Sequence, residues 1–297
     1  AEAQNNPLAL KELRIGYQKY GTLVLLKARG TLEKRLAAQG IAVKWVEFPF
    51  GPPLLEALNV GSIDVGTTGE SPPIFAQAAG TDLVYVGNEP PAPAAEALVV
   101  PKDSPIKNVA ELKGKRVAVA KGSNANYLLV KVLEKAGLKW SDIQPVFLPP
   151  ADARAAFESG RIEAWAIWDP FLAAAEKQLN ARILADGKGA VANHQFYLAA
   201  RSFADKYPDI VHALIEELDK IDQWGKRNPK EVAAFLAPQI GIDQAIVEVA
   251  AERYSYGVKP VADDILAQQQ KIADTFFELK LVPKQIKVSD AAWRPKK

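Results

Sequence analysis

A two-lobed α/β architecture, with the lobes joined by two chain crossings, is what this sequence predicts, on three observations. Strand-like and helix-like segments alternate from the start of the chain. The same alternation begins afresh after a proline-rich stretch, Glu89–Ala97, which holds Pro90, Pro91 and Pro93. A second connecting stretch, Val191–Tyr197, leads into a strand-like Phe196–Ala200 that returns to the first block. Crossings of that kind enclose an inserted lobe of roughly a hundred residues, an ordinary domain size. The expected division is 1–96 with 198–297 for lobe 1, and 97–197 for lobe 2.

In the first block, Leu13–Gly16 reads as a short buried strand and Tyr17–Thr22 as the loop that ends it. An apolar helical stretch follows over Leu23–Gln39, closed by Gly40. Ala42–Phe48 is a second strand, broken by Pro49 and Gly51, and helical Leu54–Asn59 leads to a third strand at Ile63–Thr67. Ser71 is expected to cap the next helix, with Pro72 in its first position. Leu83–Gly87 is another strand. In the second block Arg116–Ala120 is a strand, and Gly122-Ser123-Asn124 turns into a helix carrying Leu129, Val132, Leu133 and Ala136 at helical spacing. Gln144–Leu148 and Ala164–Trp168 read as strands, Pro150–Ser159 and Pro170–Asn180 as helices. Beyond Phe196–Ala200 the chain is helical, with apolar stripes at Val211, Leu214, Ile215, Leu218 and Ile221, and at Ile272, Phe276 and Leu279.

Composition narrows the function. Hydrophobic residues make up 48% of the 297, enough for real cores. The 37 Lys and Arg nearly cancel the 35 Asp and Glu, and they are interspersed, so no basic stripe for nucleic acid is expected. Cysteine is absent, which removes disulfides, thiolate metal sites and a cysteine nucleophile. No apolar run reaches the ~18–20 residues of a membrane span. The opening Ala-Glu-Ala-Gln-Asn-Asn-Pro has the small, polar character expected just after a signal-peptidase cut. There is no Gly-x-Ser-x-Gly elbow and no Walker-type loop, and Gly187-Lys188-Gly189 runs into Asn193-His194 without a convincing helix.

Long ordered segments then resemble one family. They are Gly16–Lys19, Trp45–Pro49, Leu58–Asp64, Pro72–Gly80, Asp82–Gly87, Pro150–Phe157, Ala164–Pro170 and Leu281–Lys284. Together they are similar to the periplasmic aliphatic-sulfonate-binding proteins of ABC importers, and the resemblance covers nearly the whole chain. It implies a type II periplasmic-binding-protein fold, export to the periplasm, a monomer, no catalysis, no cofactor and no metal. It implies as partners a small sulfonate ligand and an ABC permease in the inner membrane. The chain departs from the family pattern at Phe50, Pro53, Val65, Ala120 and Asn126, where a small residue, Gln, a larger apolar residue, Asn or Gln, and His are expected. These departures open the same scaffold to a different ligand: taurine, nitrate, an aromatic sulfonate, a thiamine precursor or an engineered target. An enzyme of thiamine-pyrimidine synthesis is the sharpest catalytic alternative, and it calls for cleft histidines in which this chain is poor.

A sulfonate has three acceptor oxygens and no proton to give, so its site needs donors. Helix N-termini at the carboxyl ends of strands supply them. Three loops qualify: Gln18–Thr22, Thr67–Ser71 and Gly122–Asn126. Gly122, Ser123, Asn124 and Asn126 are the expected anion cradle, although Ser123 or Asn124 serves equally as a helix cap. Thr67, Thr68 and Gly69 form a second donor cluster and Gln18 a third. Glu70, a carboxylate beside an anion, is expected to reach away, to pair with a cation or to meet a polar group at the ligand's far end. Trp165 and Trp168, three apart on a strand, face opposite ways; Trp168, before Asp169, is the one expected to cover an alkyl chain. Phe50, Val65 and Ala120 are expected to shape the pocket, with Phe50 favouring smaller ligands. His194 is open between a hinge hydrogen bond and a ligand contact, and His212 is expected on a solvent-facing helix side. Because none of the expected donors titrates there, binding is expected to be nearly insensitive to pH between ~5 and 8.

Overall fold

The computed structural model describes residues 9–295, so the opening seven residues discussed above lie outside it. In the first block β1 (Glu12–Tyr17), α1 (Thr22–Arg29), α2 (Thr31–Ala37), β2 (Ala42–Glu47), α3 (Gly51–Asn59), β3 (Val65–Thr68), α4 (Pro72–Ala78) and β4 (Leu83–Asn88) follow one another. The second block holds β5 (Glu96–Val100), β6 (Arg116–Val119), α5 (Asn124–Lys135), β7 (Gln144–Phe147), α6 (Pro150–Glu158), β8 (Ala164–Trp168), α7 (Phe171–Gln178) and β9 (Arg182–Asp186). Then come β10 (Phe196–Ala200) and the helices α8 (Arg201–Lys206), α9 (Pro208–Arg227), α10 (Pro229–Ile240), α11 (Gln244–Arg253) and α12 (Asp263–Glu278).

Two five-stranded sheets result, ordered β2-β1-β3-β10-β4 and β7-β6-β8-β5-β9. Strands joined through helices run parallel: β1 with β2 and β3, β6 with β7 and β8. The strand that follows each crossing is the exception. β5 runs antiparallel to β8 and β9, and β10 antiparallel to β3 and β4. A strand entering straight from a crossing, without a crossover helix, arrives from the opposite end of the sheet. Helices cover both faces, so β4 and β5 are buried at every position, whereas the edge strand β2 is half exposed. The stripe Val211, Leu214, Ile215, Leu218 and Ile221 on α9 joins Leu13, Ile15 and Val65 in the largest core. Ile272 and Phe276 on α12 pack with Leu54 and Tyr85 on the other face.

Four local expectations change. The helix expected over Leu23–Gln39 breaks at Gly30, which is left-handed at φ 70° and ends α1. Ser71 stands at the start of α4 but makes no capping bond with its side chain. β5 begins at Glu96, inside the stretch read as a crossing, whereas β10 spans Phe196–Ala200 as expected. β9 has no counterpart in the sequence reading.

Candidate functional site

The three anticipated loops converge on one cavity between the two sheets. Gln18, Lys19 and Tyr20 reach it from the β1–α1 loop, Gly69 and Pro72 from β3–α4, and Ser123 and Asn124 from β6–α5. Trp168, Asp169, Pro170 and Phe171 come from the turn between β8 and α7, and Pro49 and Gly51 from the start of α3. The crossings themselves contribute Glu89, Pro90, Asn193 and Gln195, and the segment after α11 adds Tyr254 and Ser255. Both sheets thus present the carboxyl ends of parallel strands, where open α/β sheets bind ligands.

Of the expected site residues, Gln18, Gly69, Ser123, Asn124, Trp168 and Asp169 line this cavity. Ser123 is the cap of α5, its hydroxyl accepting from Asn126 N at 3.3 Å and donating to Ala120 O at 2.6 Å. Asn126 is fully buried behind it, and its Oδ1 accepts the N–H of Gly122 at 3.0 Å. The Gly122 donor is therefore consumed inside the loop. Asn124 ties the lobes together: its Oδ1 accepts Ser71 N at 3.0 Å and its Nδ2 donates to Asn193 Oδ1 at 2.5 Å. Gly69 makes this approach possible, because a Cβ built on it would lie 2.1 Å from the Asn124 amide. Gly122, at φ +78°, lies where a Cβ would meet the Phe75 ring at 3.3 Å.

The second donor cluster is spent on the protein itself. Thr67 donates its hydroxyl to Phe196 O at 2.9 Å and accepts from Gln195 Nε2, and Thr68 donates to Gly69 O. Glu70 finds no cation. It is 1% exposed and accepts the N–H groups of Asn193 at 3.3 Å and His194 at 3.2 Å, which pins the second crossing to β3–α4. His194 takes the hinge alternative: it is buried and its Nδ1 faces Glu89 O at 3.0 Å, where only a protonated nitrogen bonds. His212 packs its ring on Trp293 at 4.9 Å. Phe50, Val65 and Ala120 are not among the lining residues. Val65 sits in the core at 1% exposure, Ala120 is buried under the Ser123 turn, and Phe50 is half-buried while its neighbours Pro49 and Gly51 face the cavity. Trp165 is buried against Phe157, whereas Trp168 sets an edge-on pair with Phe171 at 6.0 Å on the cavity wall.

Residues that the sequence reading did not single out complete the site. Lys19 is the one cation in the lining and makes no ion pair among the described residues. Asp169 is held by Arg253 of α11 through two bonds of 2.9 Å, and the same guanidinium reaches Glu176 at 2.8 Å, so an ion-paired clasp joins α11 to α7 across the lobes. Burial pushes the Asp169 carboxyl up to about 6 although Arg253 pulls it down. Burial likewise lifts Glu70 to about 7 against the two N–H bonds. Two carboxyl groups near the cavity therefore titrate between pH 5 and 8, which removes the premise of a pH-silent site. Among the described residues no group of three or more His, Asp or Glu is placed to hold a metal, and no helix is long and apolar enough to cross a membrane.

The NMT1/THI5-like family model matches residues 36–232. A curated Escherichia coli relative named for binding aliphatic sulfonates is 47% identical over 99% of this chain and 91% of its own. A Bacillus subtilis relative named likewise is 35% identical over 95% and 85%. The alkanesulfonate-binding protein of Xanthomonas axonopodis pv. citri, solved bound to MOPS, superposes with a TM-score of 0.90 at 44% identity, covering 96% of this chain and 98% of that one. With the fold, the interlobe cavity and these similarities in agreement, the chain belongs to the NMT1/THI5-like family and, within it, to the periplasmic aliphatic-sulfonate-binding proteins.

Proposed function

We propose that the protein captures a small aliphatic sulfonate in the interlobe cavity and hands it to an ABC permease of the inner membrane, working as an exported monomer without chemistry or cofactor. The observation that carries this reading is the convergence of Lys19, the first turn of α5 and the Trp168–Phe171 pair on a single cavity. Lys19 offers a charge. The first-turn N–H groups of α5 that Ser123 does not cap have no carbonyl within their own helix, and they sit at its positive end. Trp168, Phe171 and the prolines offer an apolar wall for an alkyl chain. The five departures from the family pattern support the family ligand over a retuned one, since Phe50, Pro53, Val65, Ala120 and Asn126 all lie outside the lining.

The two lobes, with Glu96 opening the second sheet and Phe196 returning to the first, turn about the two crossings, with Glu70 and His194 holding the second crossing to the first lobe. The test is a fluorescence titration with short alkanesulfonates, comparing the protein with Trp168→Phe. A saturable change that Trp168→Phe removes supports the reading. No change with any sulfonate, in a folded protein, contradicts it.

A further inference from the structure

We infer that Glu89 is a neutral carboxylic acid on the wall of the ligand cavity, sharing a single proton with Asp222, and that this proton keeps the cavity fit for an anion until the solution turns alkaline. The second half of the inference rests on the sulfonate reading; the first half stands without it.

Thr22 Oγ1 lies 2.8 Å from Glu89 Oε2 and 2.6 Å from Asp222 Oδ1. A hydroxyl has one proton, so among its three neighbours, the two carboxyl oxygens and the Tyr254 hydroxyl at 3.2 Å, it donates to one, and at least one carboxyl must donate to it. Geometry alone lets either carboxyl be the donor, since each has a second oxygen that accepts: Asp222 Oδ2 from Gly257 N at 2.9 Å and Glu89 Oε1 from the Tyr254 hydroxyl. Burial and the neighbouring acid raise Glu89 further above the ordinary range than Asp222, which places the proton on Glu89 Oε2, pointing to Thr22. Thr22, Glu89 and Asp222 are each no more than 1% exposed, and two adjacent carboxylates at that depth would be severely destabilised.

The surroundings agree from every side. Facing the pair are Thr22 of α1, Asp219 and Asp222 of α9, Tyr197 of β10, Tyr20, Tyr254 and Tyr256. None of these is a cation, and His194 meets only the Glu89 carbonyl. The cations near the cavity are Lys19 and Arg253, and Arg253 is committed to Asp169 and Glu176. Burial first, then Asp222, holds the Glu89 carboxyl well above the ordinary carboxylate range. An anionic ligand thus meets an uncharged acid there, and once Glu89 loses its proton it meets a second desolvated negative charge.

Two measurements test this. Infrared difference spectra of the ligand-free protein at pH 7.5, wild type minus Glu89→Gln, are expected to show the carbonyl band of a protonated carboxyl, lost in the variant. Absence of that band from the difference overturns the inference whether or not any sulfonate binds. Calorimetry of hexanesulfonate from pH 6 to 10, in buffer pairs of different ionisation enthalpy, is expected to show proton uptake on binding at alkaline pH. Affinity should fall there toward about tenfold per pH unit, and Glu89→Gln should flatten that fall. An alkaline fall of the same steepness in Glu89→Gln, or no proton uptake in the wild type, overturns the coupling. Failure of hexanesulfonate to bind at any pH strikes the sulfonate reading instead, while the infrared result still decides the first half.

Discussion

At the scale of single residues, the cavity brings together one cation, one helix end and one aromatic wall. Lys19 has no carboxylate partner among the described residues, so Lys19→Met is expected to weaken sulfonate binding about tenfold or more, ~1.4 kcal/mol. The residual binding should lose much of its salt dependence, a result read from calorimetry at two ionic strengths. Trp168→Ala is expected to cost long-chain sulfonates more than methanesulfonate, because only the longer chains reach the apolar wall. Phe50→Ala, by contrast, should leave chain-length preference unchanged, since Phe50 is absent from the lining; a shift toward longer ligands would contradict the structure. Some of this was legible in the sequence. Trp168 followed from strand alternation, and Ser123 from capping preference. Lys19 was not, because a lysine in a polar loop looks like any solvated charge until the fold shows that it has no partner. Glu89 was hidden for the same reason, as one acid before a run of prolines.

At the scale of elements, the informative contact is the loop β3–α4 against the first turn of α5. Ser71 N, Asn124, Asn193 and Glu70 form one hydrogen-bonded seam there, and Gly69 is the residue that lets the two backbones approach. Gly69→Ala puts a Cβ 2.1 Å from the Asn124 amide, so Asn124 must leave the seam. The expected outcome is a loss of affinity of at least tenfold with far-ultraviolet circular dichroism unchanged; wild-type affinity would show that the seam does not position α5. The parallel strands with their helices were readable from periodicity. β5 and β9 show where periodicity runs out: β5 lies beside the prolines of the first crossing, and β9 is only half-buried. That the strand after each crossing runs antiparallel is decided by tertiary pairing and leaves no local pattern.

At the scale of the molecule, two lobes are held by a polar seam, by the Arg253 clasp and by buried acids whose proton affinities are raised. The sign for stability follows. Glu70 at about 7 and Asp169 at about 6 lie above their unfolded values, so the stability they confer is complete below ~4 and is lost as pH rises through 6 to 7. The loss is about 3 kcal/mol for each group. The melting temperature is expected to fall between pH 5 and 8, and Glu70→Gln should reduce the slope. A melting temperature that is flat or rising across that range would contradict the account. The lobed plan, the two crossings and the family were all legible in the sequence; the acids were not, because burial is a property of the assembled fold.

The central claim is that the cavity holds a sulfonate, and the most direct test is calorimetric titration of the ligand-stripped protein at pH 7 with alkanesulfonates and carboxylates of equal chain length. The account predicts saturable one-to-one binding of the sulfonates with the carboxylates at least tenfold weaker. Equal binding of both classes, or of neither, would contradict it.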